Sequence, residues 1–288
     1  MILIPTGKVM LKIGTKNYLQ IIQLVEHGAY LDGGKHNKVL LPRRYVPKAF
    51  QPGDWLDVFV YYDSEDRIIA TTRQPYAEVG QFAYLKVVDV NKTGAFLDWG
   101  LEKDLLVPFQ EQISRLKKDN SYTVYLYLDR KTKRITATTK IDRYLKEQNK
   151  GKYKKHDAVD IMVWRQTEIG YSVIIDNEYL GLLYKNELFR PIRYGQKLKG
   201  FIKSIRDDDK IDITLNRNKK QTSETLTENI LHYLKDNNGI STITDKSTPE
   251  TIYTEFKVSK ANFKRAVGRL LKSGKIVIGK DQIRLKEL

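Results

Sequence analysis

Cysteine is absent from the 288 residues. Its absence excludes disulfide scaffolds, thiol nucleophiles, Cys-ligated zinc and iron–sulfur clusters, and it suits a reducing compartment. Histidine is scarce: His27, His36, His156 and His232 are scattered, with none in a His-Glu-x-x-His spacing. No Gly-rich loop fits a nucleotide fingerprint, and there is no Gly-x-Ser-x-Gly elbow. The acidic run Asp207-Asp208-Asp209 reads as a solvated turn rather than a metal loop. No stretch approaches the roughly 18 apolar residues of a membrane helix. The apolar start Met1-Ile2-Leu3-Ile4-Pro5 is interrupted by Lys8 and Lys12 too early for a signal-peptide core. We therefore expect a soluble cytoplasmic protein that is not an enzyme, with no cofactor, metal, membrane partner or small-molecule substrate.

What is present is positive charge and enough apolar material for several cores. Lys and Arg number 51 against 35 Asp and Glu, a formal net charge of +16, with 41% hydrophobic and 10% aromatic residues. Residues 219–288 hold 14 Lys and Arg against eight Asp and Glu, so the surplus is shared among modules and not confined to one tail. Such a field attracts nucleic acid or anionic lipid.

The chain repeats itself. Gly28-Ala29-Tyr30-Leu31-Asp32-Gly33-Gly34, followed by Leu40-Leu41-Pro42, returns 66 residues later as Gly94-Ala95-Phe96-Leu97-Asp98-Trp99-Gly100, followed by Leu106-Val107-Pro108. Ile68-Ile69-Ala70-Thr71-Thr72-Arg73 returns as Ile135-Thr136-Ala137-Thr138-Thr139-Lys140, now 67 residues on. Order and spacing kept over this length point to internal duplication. Partial period-two alternation in residues 19–25, 55–61, 84–90 and 122–128, punctuated by glycine, predicts short strands. Four or five such strands per unit suit a small closed barrel, which hides its edges.

A weaker third unit follows, with strand candidates at 160–164 and 170–176, then candidate segments at 181–184, 194–198, 200–202 and 210–215. Between units two and three, residues 143–150 read as a short linker helix. After Asn216 the period becomes 3.6. Thr225 and Glu228 suggest a capping box ahead of Leu226, Ile230, Leu231 and Leu234. Thr248-Pro249 opens a second helix, and Ser259 and Gly274 bound a third. Strand candidates at 276–278 and 283–285 complete a winged-helix pattern. The expected fold is mainly β: three tandem small barrels at 1–74, 75–142 and 151–218, then an α+β winged-helix domain at 219–288.

Nucleic-acid binding has residues to carry it. Aromatic rings on one sheet face can stack single-stranded bases while Lys and Arg hold phosphates. Phe96 with Arg134 in unit two, and Tyr30 with Arg67 in unit one, are the candidates. Each ring also has a plain alternative as core filling, as do Trp99 and Trp164. On the third helix, Phe263, Ala266, Val267, Leu270 and Leu271 fall on one side at 100° per residue. Arg265, Arg269 and Lys272 fall opposite, flanked by Lys260 and Lys264, as a surface for phosphates or simply a solvated basic face.

The repeats resemble the S1 RNA-binding domain of the OB-fold class, most clearly at Lys92-Thr93-Gly94-Ala95-Phe96-Leu97-Asp98. Three such units followed by a winged helix resemble the conserved virulence factor B family, S1-type RNA-binding proteins of Firmicutes. The resemblance implies RNA binding and regulation of gene expression, including virulence factors where the organism is a pathogen. It also implies site positions. Phe96, Asp129 and Arg134 match in unit two, with Thr93 and Pro108 replacing an aromatic and a His. Tyr30, Asp63 and Arg67 match in unit one, with His27 at the earlier aromatic position and Pro42 at the His. In unit three, Ser172 stands in place of the Phe, Tyr184 lies near the His position and Arg206 is a displaced cation. The candidate RNA-binding set is Tyr30, Arg67, Phe96, Asp129, Arg134, Tyr184, Lys264, Arg265, Arg269 and Lys272. Single-stranded RNA is the expected partner; a DNA-binding regulator led by the winged helix and a scaffold on ribosomes or an RNA-processing complex are the alternatives.

Overall fold

The computed structural model describes residues 10–63, 65–185, 188, 191–215, 219–256 and 258–286. The chain divides into two compact units, Met1–Tyr144 and Leu145–Leu288. The first contains two small barrels and the second a third barrel and a helical domain.

The first barrel is built from β1 (Lys16–Val25), β2 (Gly28–Asp32), β3 (Lys38–Pro42), β4 (Trp55–Tyr62) and β5 (Ile68–Thr71). Strand order is β1-β2-β3-β5-β4, closed by a parallel bridge from Leu40 to Ile69. Alternation decides the inside: Leu19, Ile21, Ala29, Leu31, Val39, Leu41, Leu56, Val58, Val60 and Ala70 form its core. The second barrel repeats the plan with β6 (Phe82–Val90), β7 (Gly94–Asp98), β8 (Leu105–Pro108), β9 (Ser121–Leu128) and β10 (Ile135–Thr138). Its sheet runs β10-β9-β6-β7-β8, with the two end strands lying side by side. The third has β11 (Ala158–Gln166), β12 (Gly170–Ile175), β13 (Tyr179–Tyr184), β14 (Lys197–Ile205) and β15 (Ile211–Thr214), closed by parallel β13–β15 pairing.

Two local devices recur in all three barrels. The opening strand shifts register at the same place, between Ile21 and Gln23, Val87 and Asp89, and Val163 and Arg165. Such a bulge sharpens the bend a small barrel needs. The second strand always opens on glycine. A Cβ there would lie 2.1 Å from the Leu41 carbonyl oxygen at Gly28, 2.3 Å from that of Val107 at Gly94, and 2.2 Å from that of Leu183 at Gly170. Only glycine lets the second and third strands approach this closely.

The first two barrels are locked together within their unit. Phe59 and Tyr61, on the outward side of β4, pack into the core of the second barrel, where Phe59 meets buried Trp99 edge-on at 5.6 Å. The Val79 amide donates to the Gly14 carbonyl, and Arg44 pairs with Glu102 at 2.5 Å.

The C-terminal domain comprises α1 (Lys219–Asp236), β16 (Ile240–Ser241), α2 (Pro249–Phe256), α3 (Lys260–Lys272), β17 (Ile276–Ile278) and β18 (Ile283–Leu285). Leu226, Ile230, Leu234, Ile252, Phe263, Val267 and Leu270 fill its core. Thr248 accepts from the Thr251 amide, Ser259 caps α3 through the Asn262 amide, and Gly274 follows with φ +68°.

Three expectations are corrected and one element is added. Residues 143–150 form no linker helix: a single 3-10 turn, Ile141–Tyr144, ends the first unit. Beyond it Lys146 exchanges backbone hydrogen bonds with Glu178 and Leu180, so tertiary pairing overrides local helix tolerance. Thr225 and Glu228 do not cap α1, because that helix starts at Lys219 and carries both in its interior. Leu271 is 46% exposed instead of joining the apolar side of α3; at that helix angle it lies beyond the edge of the packed stripe. The two-residue β16, paired with β18, was not anticipated.

Candidate nucleic-acid interface

The outward rows of the barrels hold the candidate rings. In β2, Ala29 and Leu31 are buried, so Tyr30 faces outward, opposite Leu40 of β3. His27 meets it edge-on at 5.9 Å with a ring nitrogen 3.4 Å from the Tyr30 hydroxyl, and Lys38 Nζ sits 5.5 Å from the ring centre. In β7, Ala95 and Leu97 are buried and Phe96 faces outward, opposite Asp89 and Leu106. Trp99 belongs to the core, and Trp164 is half-buried with the Arg165 guanidinium 4.1 Å from its ring centre.

The predicted cations near β5 and β10 are tied to acids. Arg67 Nε donates to Asp63 at 2.8 Å and its Nη1 reaches Glu65 at 2.9 Å. Arg134 grips Asp66 of the first barrel through Nε at 3.0 Å and Nη2 at 2.9 Å. Arg134 therefore braces the two barrels while remaining half exposed. Asp129 accepts from the Lys131 amide at 2.8 Å and that bond holds its carboxyl below the usual range. Its observed contacts are those of a turn cap.

In the third barrel the expected candidates meet. Tyr184 projects outward from β13, and Arg206 Nη2 donates to its hydroxyl at 3.2 Å. Arg206 is in turn held by Asp212 through Nε at 2.8 Å and Nη2 at 2.6 Å, and Ser204 donates to the other Asp212 oxygen at 3.1 Å. The hydrogen bond to Asp212 pushes the Arg206 pKa up, so the guanidinium stays charged. Lys203 Nζ lies 4.8 Å from the Tyr184 ring centre. It occupies the bulge where β14 shifts register between Ile202 and Ser204, and bulges re-aim side chains in this way. Ser172 is buried beside Arg165 and Leu182 and offers no ring.

On α3 the basic side stands clear of the core. Lys264, Arg265, Arg269 and Lys272 are all exposed, while Phe263, Ala266, Val267 and Leu270 are buried. The hairpin after it adds exposed Lys275, Lys280, Arg284 and Lys286. Sequence reasoning placed this hairpin but not its cations, and it missed Lys38, Lys203 and Asp212. Asp212 carried a signal, a carboxylate at an alternating position between two isoleucines, which requires a partner if the strand is buried. Among the described residues no cluster of three or more metal-ligating side chains exists, and no helix is long and apolar enough to cross a membrane.

These features define a chain of OB-type modules joined to a winged helix. Residues 13–73 and 79–140 match the S1 domain family, and residues 228–285 match the CvfB-like winged helix domain. Both are nucleic-acid-binding modules without catalytic chemistry. The chain is 28% identical over 271 residues to the uncharacterized protein YitL of Bacillus subtilis, covering 91% of this chain and 90% of that protein. It is 23% identical over 284 residues to conserved virulence factor B of Staphylococcus saprophyticus, covering 96% and 95%. A crystal structure of a multidomain protein with nucleic acid binding domains from Streptococcus pneumoniae aligns over 95% of this chain and 98% of that one, at 25% identity and a TM-score of 0.41. The chain therefore carries two S1-type domains and a CvfB-like winged-helix domain.

Proposed function

We propose that this protein belongs to the conserved virulence factor B family and binds single-stranded or loosely structured RNA in the cytoplasm, influencing gene expression. In a pathogen, virulence factors would be among the genes it regulates. The observation that carries this reading is the pairing of outward aromatic rings with cations on barrel faces, Tyr30 with Lys38 and Tyr184 with Lys203 and Arg206. Rings stack bases without regard to sequence, while cations hold phosphates and confer salt dependence. Phe96 would add a stacking surface, and Arg67 and Arg134 the exposed edges of their paired guanidiniums. Lys264, Arg265, Arg269 and Lys272 would carry phosphates along α3. Each surface is small, so affinity comes from linking several of them. The modules proposed to act are 1–74, 75–142, 151–218 and 219–288.

Binding of single-stranded RNA, single-stranded DNA and duplex DNA across a salt series tests the reading. Single-stranded RNA binds more tightly than duplex DNA if it holds. The exposed basic stripe of α3 favours one second reading, a DNA-binding regulator, which the reverse order would support. Removing residues 219–288 should weaken RNA binding only in part. Absence of any nucleic-acid binding at moderate salt would leave a scaffold on ribosomes or an RNA-processing complex.

A further inference from the structure

The second barrel carries a stacked pair that the site described above does not use. Directly after β8, Phe109 opens the 3-10 turn Phe109–Glu111. The guanidinium carbon of Arg115 lies 3.7 Å from the centre of its ring, a separation that puts the cation directly over the ring face. Phe109 is half-buried and Arg115 exposed, and no acidic partner for Arg115 is found among the described residues. A guanidinium without an acid normally extends into water. Here it lies against an aromatic face, which restricts its rotation and leaves one side of the cationic plane open.

The location relative to Phe96 follows from the strand pairing. Phe96 faces Leu106 on β8, and Gly94 faces Pro108. Leu106 and Pro108 both lie on the outward side of β8, flanking buried Val107. They form a half-buried apolar step of about 7 Å from the Phe96 level to the residue preceding Phe109. Ile113, 65% exposed, lies in the same loop. The first barrel does not repeat this pair at the duplicated positions. The duplicate of Phe109 in the first barrel is Arg43, which donates to the Glu26 carbonyl, and the duplicate of Arg115 is Ala49.

We propose that Arg115, laid on Phe109, is a nucleobase-stacking site that extends the Phe96 face of the second barrel, its ligand being a base of single-stranded RNA. The assignment rests on the RNA-binding reading given above. Guanidinium planes and aromatic rings are both surfaces on which unpaired bases stack, and a cation in that plane also draws the adjoining phosphate. Lysine has the charge but no plane, which separates stacking from simple attraction.

The test compares the full-length protein with its Arg115→Lys, Arg115→Ala and Phe109→Ala variants, using oligoadenylate of about twelve nucleotides and the same oligomer with abasic sites. The expected result is that Arg115→Lys weakens binding to intact oligomer about five- to tenfold, with an unchanged salt slope and little effect on the abasic oligomer. Arg115→Ala should lose the same factor and also lower the salt slope by about one. Phe109→Ala should resemble Arg115→Lys, since the guanidinium then lacks its support. Unfolding temperatures of the two Arg115 variants should stay within about 1 °C of the parent, because surface changes of this kind alter little. If the parent binds RNA and Arg115→Lys binds both oligomers as the parent does, the stacking site is wrong while the RNA-binding reading stands. If the parent binds neither oligomer, both fall together.

Discussion

Replacing Gly94 by alanine tests the close approach that sets up the Phe96 face. The added Cβ would lie 2.3 Å from the Val107 carbonyl oxygen and 3.0 Å from the Pro108 Cα, both backbone atoms that cannot rotate away. An unstrained carbon–oxygen contact needs about 3.3 Å, so the ends of β7 and β8 must part by roughly 1 Å. Parting them weakens one or two backbone hydrogen bonds at about 1 kcal/mol each. It also displaces fully buried Ala95 and Val107, and such overpacking strain costs about 1–3 kcal/mol. The total is about 3 kcal/mol. For a unit of the size of Met1–Tyr144, at roughly 3 °C per kcal/mol, unfolding should fall by about 10 °C. Thermal unfolding followed by near-UV circular dichroism measures it. Below the transition, RNA affinity should also drop, since Phe96 sits two residues beyond the displaced glycine. A shift under about 2 °C would show that β7 and β8 accommodate a side chain and that the recurring glycine is not needed for packing. Gly268→Ala is the opposite control. Nothing lies within 4 Å of a Cβ there, and an exposed helix interior should gain about 0.5–1 kcal/mol.

The third barrel allows a mutational cycle. Asp212→Asn should cost about 2 kcal/mol in urea unfolding, because the Arg206–Asp212 pair is only 33% and 10% exposed at its two side chains. Adding Arg206→Asp to Asp212→Ile imitates the Asp63 and Ile69 of the first barrel. It should be more stable than the sum of the single changes predicts yet weaker on RNA, and additive energies would refute the coupling. Acid unfolding probes Asp129, whose carboxyl titrates below its ordinary value chiefly through the Lys131 amide. Its contribution is present above the unfolded-state pKa of about 3.9 and is lost as pH falls through the lower folded value. Asp129→Asn should therefore flatten the decline in unfolding temperature below about pH 4, and parallel curves would contradict this. At the alkaline end, burial first and then Glu111 push Tyr127 up to about 12, and burial does the same to Tyr61. A folded value above the unfolded one stabilises fully below about pH 10 and fades as pH rises through it. Absorbance at 295 nm should resolve two tyrosines ionising near 12; complete titration by about pH 10.5 would refute the burial.

Most of the architecture was legible because its signals are local. Glycine at the start of the second strand, alternation along the strands and the caps at Thr248 and Ser259 each act within a few residues. The candidate site was less legible. The sequence left Tyr30 and Phe96 open between a stacking face and core filling; the buried neighbours Ala29, Leu31, Ala95 and Leu97 turn them outward, but alternation cannot say what covers an outward ring. Phe59 and Tyr61 alternate in the same way as Tyr125 and Tyr127, yet the first pair is capped by a neighbouring barrel and the second by Tyr144, which stacks on Tyr125 at 3.8 Å. Neither neighbour is close in sequence to the strand it covers. The linker failed for the same reason, since Ile141–Tyr144 is held by contacts with β9 and not by its own helix propensity.

One hairpin, built three times, shows how duplication produced unequal candidate faces. In each barrel the residue opening the turn between the last two strands donates its amide across that turn: Asp63 to Arg67, Asp129 to Arg134 and Arg206 to Lys210, each at 2.9 Å. In the first two, the opening residue is an acid whose carboxylate accepts the turn's own amides. The cations that follow are then spent on acids, Arg67 on Asp63 and Arg134 on Asp66. In the third barrel the opening residue is the cation itself. It caps no turn and swings over the sheet instead, to Asp212 and the Tyr184 hydroxyl. The acid has moved from the turn to β15, where its lower exposure makes the pair rigid. A cation fixed beside a ring on the sheet face needs no rearrangement to meet a phosphate, whereas one bridging two barrels must loosen that bridge first. On the proposed reading, preorganisation of this kind reduces the ordering cost of holding a phosphate at the third barrel's hairpin, even though its repeat is the hardest to see in the sequence.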